Sequence, residues 1–306
     1  TVNVWYSMIA LIKTVCLPNP LETRRVAQAI HDEKCTFLLG TPTLFRPYFK
    51  KVEPELLKGL KFAVAGAEKI PDGFAAMWEK NFGSRFLVGY GLTEASPVVC
   101  ADIEPAQKNF PSYFDGGAGK LFPGMQARIV DDATGEVISP TRNGILQLRG
   151  VNLFHGYLAD TDATARAFDG DWYITGDLAR FDEKGRLHIE GRISRFSKIG
   201  GEMVPHGTVE QAIVQAFRLE DSEVPVVAVT GARDNTKGES LVLFTSFDID
   251  LVTLREKLIG EGIPNLWIPR RIRRVDAIPT LASGKLDLRT LRTIAQQSVD
   301  AEEEAV

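Results

Sequence analysis

Residues 89–97, GYGLTEASP, follow the hydrophobic run RFLV and indicate the point at which a buried strand ends. Two glycines are enough to make a turn there. Tyr90, Thr93 and Glu94 add an aromatic ring, a hydroxyl and a carboxylate to it. Open α/β sheets bind ligands at the carboxyl ends of their strands. The stretch therefore predicts either a ligand site at a strand end or a glycine turn with ordinary solvated side chains.

The sequence before this stretch alternates between helix and strand patterns. LETRRVAQAIHDEK and PDGFAAMWEKNF are typical of helices, whereas CTFLLG and LKFAVA are typical of short buried strands. Thr41 followed by Pro42 predicts a third helix that opens at TPTLFRPYF, with the threonine as its cap. Strands that alternate with helices indicate a mainly parallel sheet.

Beyond Gly117 the pattern changes to short strands separated by turns. MQARIVDDATGEVI, GILQLRG and RLHIEG predict an antiparallel β unit. From about Ser194 helices and strands alternate again. The sequence therefore predicts an α/β protein in two parts: residues 1–193, with the parallel sheet and the antiparallel unit, and residues 194–306, a small α+β domain.

Composition excludes several classes of protein. A chain of 306 residues with 44% hydrophobic and 25% charged residues is typical of soluble globular domains, and a net charge of −4 gives no reason to expect a nucleic-acid partner. The few, widely spaced cysteines and the scattered histidines indicate neither a zinc site nor a disulfide framework. The apolar run VWYSMIALI is too short for a transmembrane segment and follows no basic segment.

Three further polar clusters stand at glycine turns. Asp177 in YITGDL fits either a structural Asx-turn or a carboxylate that binds the two hydroxyls of a ribose. Lys198 in FSKIGGEMV precedes Gly200 and Gly201, and a simple hairpin turn would give the same pattern. Lys285 in LASGKLDL also fits a solvated surface lysine.

In their order and spacing these clusters resemble the core motifs of the adenylate-forming ligases, the superfamily of acyl-CoA synthetases and adenylation domains. The similar segments are GYGLTE, NGILQLRGVNLFHGYL (residues 143–158), YITGDL, GRISRFSKIGG and SGKLDL, which together extend over nearly the whole chain. Within the superfamily, VAGAEKI, GEMV and IPRRIRRVDAIPTLASGK are most similar to the synthetase part of bifunctional acyl-acyl carrier protein synthetase/2-acylglycerophosphoethanolamine acyltransferases. The resemblance implies the C-terminal portion of the AMP-binding large domain over residues 1–193 and a small mobile domain over residues 194–306.

The resemblance implies an enzyme that activates fatty acids in two steps. A fatty-acid carboxylate attacks the α-phosphate of ATP to give acyl-adenylate and pyrophosphate, and a thiol then takes the acyl group. ATP and Mg²⁺ are the implied cofactors, and acyl carrier protein or CoA is the implied acceptor. The closer resemblance also implies a place in phospholipid metabolism on the cytoplasmic side, at the inner membrane of a bacterium in the full-length enzyme.

The resemblance assigns roles to individual positions. The implied nucleotide-binding residues are Gly66, Ala67, Glu68, Tyr90, Gly91, Thr93, Asp177, Arg192 and Lys285. Thr93 would contact phosphate and Glu94 would hold Mg²⁺, a hard cation that prefers oxygen ligands. Lys285 would bridge the attacking carboxylate and the α-phosphate, where a positioned ammonium stabilises developing charge.

Three features depart from the superfamily pattern. The Ser/Thr/Gly-rich phosphate loop ending in lysine is absent from the 306 residues, and Thr1 begins within a hydrophobic element. We therefore expect the C-terminal fragment of a larger enzyme, which does not adenylate fatty acids by itself. Ser194 replaces the usual hinge aspartate and cannot make a charged contact. Thr208 replaces a glutamate two residues before Glu210.

Residues 268–275, IPRRIRRV, concentrate four arginines in a slightly acidic protein. Arg271, Arg273 and Arg274 are predicted to dock the acidic acyl carrier protein, because opposite charges speed and orient an encounter. A solvated strand face would show the same pattern.

Other functions remain open from the sequence. One is an ordinary acyl-CoA ligase or an amino-acid adenylation domain, and another is a catalytically silent module that binds nucleotide or carrier protein. Leu92, Val98 and Val99 favour an apolar acid as substrate, but core packing explains them equally well.

Overall fold

The computed structural model describes residues 7–66, 68, 70–71, 73–102, 117–219, 222, 224–234, 238–281 and 286–303. The chain divides into two compact units, Thr1–Glu190 and Gly191–Val306. The identity of these units with the large and small domains of a ligase stays a prediction. In the described part of the chain, no helix combines the length and the apolar character needed to cross a membrane.

The first unit contains a five-stranded sheet with the order β1-β2-β3-β4-β5. Its strands are β1 (Phe37–Gly40), β2 (Phe62–Ala65), β3 (Arg85–Gly91), β4 (Val98–Ala101) and β5 (Lys120–Leu121). The first three strands run parallel, whereas β4 and β5 join in antiparallel fashion. The predicted α/β class is confirmed, and the switch from parallel to antiparallel pairing occurs directly after Gly91.

Short helices precede β1 and connect the parallel strands. They are α1 (Ser7–Ile9), α2 (Thr23–Asp32), α3 (Pro42–Phe45), α4 (Tyr48–Lys51) and α5 (Phe74–Phe82). The Thr41 hydroxyl accepts a hydrogen bond from Leu44 N at 3.4 Å, so the predicted cap is present. The segment that the sequence indicated as one helix forms two, because Pro47 has no N–H to donate and its ring crowds the preceding turn.

Trp78 lies at the centre of the core beneath this sheet. Its side chain is fully buried, and its Nε1 donates a hydrogen bond to Ser84 Oγ at 2.8 Å. The rings of Phe45 and Phe82 lie with their centroids 5.0 Å and 4.6 Å from the Trp78 ring. Burial raises the pKa of the neighbouring Tyr48 to about 12. The packed aromatic rings fix α3 and α5 against the sheet and thereby the direction in which β3 leaves the core.

The antiparallel unit forms a second sheet with the order β10-β9-β7-β6, with β8 paired to β9. Its strands are β6 (Met125–Val130), β7 (Gly144–Gly150), β8 (Phe168–Asp169), β9 (Trp172–Phe181) and β10 (Leu187–Arg192), and α6 (Thr161–Ala167) precedes β8. Leu146 and Leu148 of β7 share one buried core with Leu92, Val99 and Cys100. Leu92 and Val99 are therefore explained by core packing rather than by an apolar substrate.

The second unit combines a hairpin, a three-stranded sheet and three helices. Its elements are β11 (Phe196–Ile199), β12 (Glu202–Pro205), α7 (His206–Ala216), β13 (Val227–Asp234), β14 (Gly238–Thr245), α8 (Leu251–Gly260), β15 (Arg271–Arg274) and α9 (Leu288–Glu303). Lys198 lies on β11, and the hairpin turns at Gly200 and Gly201, which both have positive φ. Leu243 of β14 belongs to the core with α7 and α8, and Phe244 to the core with α9. Helices therefore pack on both faces of this sheet.

The turn after β3 depends on the absence of a side chain at Gly91. A Cβ at this position would overlap the carbonyl oxygen of Pro97. The same oxygen accepts a hydrogen bond from Leu92 N at 2.8 Å. The two backbones can approach closely enough to make this bond only because residue 91 is glycine.

We expect Gly91→Ala to lower the free energy of unfolding by about 1–3 kcal/mol, the usual cost of forcing extra atoms into a packed site. Gly59→Ala is the matched control, since a Cβ at Gly59 would have no heavy atom within 4 Å. Urea denaturation of the wild type and both variants measures the difference. Equal effects at the two glycines would contradict the role assigned to Gly91.

A buried histidine lies in the second unit. His206 is 1% exposed, and its Nε2 lies 2.9 Å from Ser197 Oγ. Its Nδ1 has no hydrogen-bond partner within the described residues. Burial, together with the positive charges of Arg195 and Arg292, lowers the pKa of His206 from 6.5 to about 3. The imidazole is therefore neutral in the folded protein.

This depressed pKa makes stability depend on pH. Between pH 6.5 and about 3 the unfolded chain binds a proton at His206 that the folded chain does not. The contribution of His206 to the free energy of unfolding is therefore fully present above pH 6.5 and is lost as the pH falls. The loss of unfolding free energy attributable to His206 is on the order of 5 kcal/mol across the whole interval. We expect His206→Gln to reduce the slope of unfolding free energy against pH between pH 6.5 and 4, as measured by urea denaturation. An unchanged slope would assign the pH dependence to other groups.

Candidate nucleotide-binding site

Three loops meet at the carboxyl end of the parallel strands. Residue pairs such as Ala65 and Val88 lie side by side in β2 and β3. The loop after β2 therefore starts beside the last residues of β3, where a Cβ on Gly66 would lie 3.4 Å from Gly89 O. The loop after β1 joins them, because Gly66 N donates to Gly40 O at 3.3 Å. This edge is the place at which α/β sheets bind ligands.

Glu68 ties two of these loops together. Its Oε2 accepts hydrogen bonds from Thr43 N at 3.1 Å and from Thr43 Oγ1 at 2.6 Å. The sequence indicated Thr43 only as part of a helix start, so its contact with Glu68 was missed. Ala67, the neighbour predicted to contact adenine through its backbone, lies outside the described residues.

Tyr90 and Asp177 lie in direct contact although they come from different sheets. Tyr90 Oη donates to Asp177 Oδ2 at 2.5 Å. Asp177 is 3% exposed and lies within the long strand β9, so it is not part of an exposed turn. Its backbone N donates to Thr175 Oγ1 at 3.0 Å. The structure thus places the ring predicted for adenine and the carboxylate predicted for ribose in one hydrogen-bonded pair.

Thr93 and Glu94 lie on a short 3₁₀ turn, Thr93–Ala95, directly after β3. Thr93 is exposed, and Glu94 is half-buried. Glu94 Oε1 accepts a hydrogen bond from Tyr157 Oη at 3.0 Å, and its backbone oxygen accepts one from Phe154 N at 2.8 Å. The side chain of Glu94 is therefore held in a defined orientation at the edge of the sheet.

Tyr173 completes the polar cluster around Glu94. Burial raises the pKa of its phenol, and hydrogen bonding with Tyr157 and the charge of Glu94 raise it further. Tyr173 therefore stays protonated at physiological pH. Sequence reasoning found neither Tyr157 nor Tyr173. Tyr157 falls within the similar segment 143–158, to which no role was assigned, and its contact with Glu94 spans 63 positions of the chain.

The donor set fits a cation that arrives with a nucleotide. Within the described residues no three histidine, cysteine, aspartate or glutamate side chains gather into a group that could hold a metal ion. Mg²⁺ is commonly held by one or two carboxylates, water and the phosphates of the substrate. Glu94, a single oriented carboxylate next to the hydroxyl of Thr93, matches that pattern.

The remaining predicted site residues belong to the second unit or are not described. Arg192 is the exposed last residue of β10. Ser194 lies in the turn Ile193–Arg195, and its carbonyl oxygen accepts a hydrogen bond from Arg292 at 2.5 Å. Lys285 lies outside the described residues, whereas Thr280 and Leu286 near it form an antiparallel bridge. The roles predicted for Arg192, Ser194 and Lys285 stay predictions.

The three predicted docking arginines do not share one face of the sheet. Arg271 pairs with Val242 and Arg273 with Phe244, both on the side covered by α9. Arg274 lies on the opposite side with Ile272. Arg271 donates to Ser240 Oγ at 2.8 Å, and Arg274 forms an ion pair with Asp248. A groove of about 520 Å³ adjoins the strand and is lined by Asp234, Ile249, Asp250, Leu251, Arg270, Arg271 and Ile272. The groove thus presents charges of both signs.

Several curated proteins with similar sequences are acyl-CoA ligases. Over 298 residues the chain is 30% identical to the mitochondrial medium-chain acyl-CoA ligase ACSF2 of Mus musculus, covering 93% of this chain and 46% of the mouse protein. It is 29% identical over 297 residues to the long-chain-fatty-acid–CoA ligase of Escherichia coli O157:H7, covering 94% of this chain and 50% of that protein. The chain thus spans about half the length of these relatives.

Solved structures show the same fold. ATP-bound MatB from Rhodopseudomonas palustris superposes with a TM-score of 0.74 at 24% identity, covering 94% of this chain and 56% of that one. The anthranilate CoA ligase AuaEII in complex with anthranoyl-AMP superposes with a TM-score of 0.71 at 22% identity, covering 97% and 56%. The family described as AMP-binding enzyme matches residues 1–158, slightly more than half of the chain. The chain therefore belongs to the AMP-binding enzyme family.

Proposed function

We propose that this chain belongs to an ATP-dependent ligase that converts a fatty acid to its acyl-adenylate and then transfers the acyl group to a thiol. The observation that carries the proposal is the Tyr90–Asp177 pair, at the sheet edge where the Thr93–Glu94 turn begins. An aromatic ring, a buried carboxylate and an oriented second carboxylate are the groups needed for adenine, ribose and a phosphate-bound cation. Family membership and the names of the fatty-acid ligases among the relatives support the same function.

In this proposal Tyr90 and the backbone of Gly66, Ala67 and Glu68 hold adenine, and Asp177 accepts hydrogen bonds from the ribose hydroxyls. A carboxylate offers about four lone-pair sites, so Asp177 can bind ribose and keep its hydrogen bond from Tyr90. Gly91, also predicted to contact the nucleotide, allows the close backbone approach to Pro97 that sets the turn after Tyr90. The Tyr90 hydroxyl thus fixes the carboxylate in advance of nucleotide binding.

Thr93 and Glu94 would act at the phosphates. Bound Mg²⁺ supplies charge neutralisation for the triphosphate, and Glu94 is the residue of this chain that would hold it. Thr93 would donate its hydroxyl to a phosphate oxygen. Lys285 is proposed to stabilise charge that develops at the α-phosphate. Arg192 would lie beside the ribose, and Ser194 would lie at the hinge about which the small domain moves between the two half-reactions.

The thiol acceptor distinguishes two forms of the proposal. The sequence resemblance supports acyl carrier protein as acceptor and 2-acylglycerophosphoethanolamine acylation as the linked process, at the cytoplasmic side of a bacterial inner membrane. CoA is the second candidate, because the relatives are named acyl-CoA ligases. An amino-acid adenylation domain and a silent nucleotide-binding module receive no support from those names.

We expect the full-length protein to catalyse fatty-acid-dependent exchange between ATP and pyrophosphate, and Asp177→Ala to bind AMP more than about tenfold more weakly. The reason is that the ribose hydroxyls lose a charged acceptor, which contributes roughly 1.5–3 kcal/mol. Isothermal titration calorimetry with AMP measures the affinity. Asp169→Ala is the control, since this aspartate is exposed and pairs with Arg128.

Exchange that depends on amino acids instead of fatty acids would assign the chain to the adenylation domains. Absence of exchange in the full-length protein, with AMP still bound, would favour the silent module. Unchanged AMP affinity in Asp177→Ala would show that this aspartate has only a structural role in β9, beside Gly176.

For the acceptor, we expect replacement of Arg271, Arg273 and Arg274 by glutamate to raise the KM for acyl carrier protein severalfold and to flatten its salt dependence. Charge complementarity acts mainly on the rate of encounter and is screened by salt. Steady-state thioester formation with carrier protein and with CoA measures the effect, and adenylation of free fatty acid should not change.

Because the three arginines lie on two faces, two further variants separate the faces. One carries Arg274→Glu alone, and the other carries both Arg271→Glu and Arg273→Glu. An effect confined to one variant identifies the docking face. If both fold normally and the kinetics with carrier protein stay as in the wild type, the arginines are only a solvated surface.

A further inference from the structure

We propose that Tyr157 is a positioning residue for the reaction: its hydroxyl orients the carboxylate of Glu94 for the nucleotide-bound cation. Residues 151–158, here called the clamp loop, hold the Thr93–Ala95 turn in place for this purpose. The inference rests on the proposed function and extends it to a segment of the chain that had no assigned role.

The clamp loop binds the backbone of the turn at three points. Asn152 Nδ2 donates to Ala95 O at 2.6 Å and to Val98 O at 2.9 Å. Phe154 N donates to Glu94 O at 2.8 Å. The Asn152 amide thereby donates both of its hydrogens, one to the last residue of the turn and one to the first residue of β4. These bonds join segments more than 50 positions apart and fix where the backbone of Glu94 lies.

The fourth contact reaches the side chain. Tyr157 Oη donates to Glu94 Oε1 at 3.0 Å. A carboxylate rotates easily about its last bond, so a donor on one oxygen determines the direction in which the other oxygen points. Partners that orient a metal-binding carboxylate in this way commonly change metal affinity when they are removed.

Tyr157 is itself fixed before any ligand binds. Its backbone N donates to Thr164 Oγ1 at 2.9 Å, and Thr164 Oγ1 in turn donates to Asp160 O at 2.8 Å. Its ring packs edge-on against Phe154, with centroids 4.9 Å apart. The start of α6 and the neighbouring aromatic ring therefore hold the phenol, although the residue is 40% exposed. A preorganised donor of this kind costs little entropy to use.

The decisive variant is Tyr157→Phe, which removes the hydroxyl and keeps the ring. In the full-length protein with a saturating, non-hydrolysable ATP analogue, Mn²⁺ serves as the probe, and its affinity is measured by electron paramagnetic resonance. We expect Mn²⁺ to bind about tenfold more weakly in the variant. Affinity for the analogue in EDTA should match the wild type, since it does not depend on the orientation of Glu94. A change in the midpoint of thermal unfolding would report only the lost hydrogen bonds of the Tyr157 hydroxyl with Glu94 and Tyr173.

Tyr48→Phe is the matched control, because it removes a phenol hydroxyl from the buried aromatic core of the same unit. Its Mn²⁺ affinity should equal that of the wild type. A second readout is the ATP–pyrophosphate exchange rate against Mg²⁺ concentration. In Tyr157→Phe the rate should be low at limiting Mg²⁺ and recover at high Mg²⁺, which a merely structural defect would not produce.

The outcomes separate this inference from the function on which it rests. Wild-type protein that binds neither the nucleotide analogue nor Mn²⁺ with it would overturn both. Normal wild-type binding with unchanged Mn²⁺ affinity in Tyr157→Phe would overturn the positioning role alone. A third outcome is a loss of Mn²⁺ affinity together with an equal loss of affinity for the nucleotide analogue in EDTA. It would show that Tyr157 supports the nucleotide pocket as a whole, and it would likewise overturn the positioning role.

Discussion

The site depends on the close approach of two backbone segments at Gly91. Any side chain there would overlap Pro97 O, and the hydrogen bond from Leu92 N to that oxygen would be lost. This bond reverses the chain at the end of β3, so β4 returns antiparallel beside a strand that is otherwise in a parallel sheet. The reversal leaves the turn Thr93–Ala95 at the sheet edge, with its hydroxyl and carboxylate beyond the hydrophobic core. A single steric requirement thus produces both the change in strand direction and the exposure of the polar residues.

The turn alone would leave these side chains without a fixed direction, and the second sheet provides it. Asp177 of β9 accepts the hydrogen bond from Tyr90, and Tyr157, which follows β7, donates to Glu94. The shared core of Leu92, Cys100 and Leu146 holds the two sheets together, so these polar contacts are made between rigid elements. A buried polar group stabilises a unique arrangement only when its partner is in place, and the hydroxyl of Tyr90 is a partner of the buried Asp177.

The sequence predicted the parts of this arrangement that depend on local pattern. The parallel strands, the cap at Thr41 and the position of GYGLTE after a strand follow from hydrophobic alternation and turn residues. The break at Pro47 was also visible in principle, because a proline beyond the first turn of a helix removes a hydrogen bond and interrupts the helix. The contacts that orient the site were not predictable, because Tyr157 and Glu94 stand 63 positions apart and neither neighbourhood carries a sign of the other. The same holds for the docking arginines: their clustering is evident in IPRRIRRV, but their division between two faces follows from the pairing of β15 with β14.

The two units differ in the kind of information they give about function. In the first unit hydrogen bonds hold the side chains of Glu68, Asp177 and Glu94, so the geometry of the proposed nucleotide site is well defined. In the second unit, of the arginines proposed to dock an acceptor, Arg271 is half-buried and bonds to Ser240, whereas Arg274 is exposed and pairs with the largely exposed Asp248. Exposed ion pairs contribute little energy and rearrange easily, so they do not define the shape of a partner. The proposed nucleotide chemistry thus rests on fixed contacts in the first unit, whereas the proposed choice between a carrier protein and CoA would rest on the long-range charge of a surface, which acts on the rate of encounter.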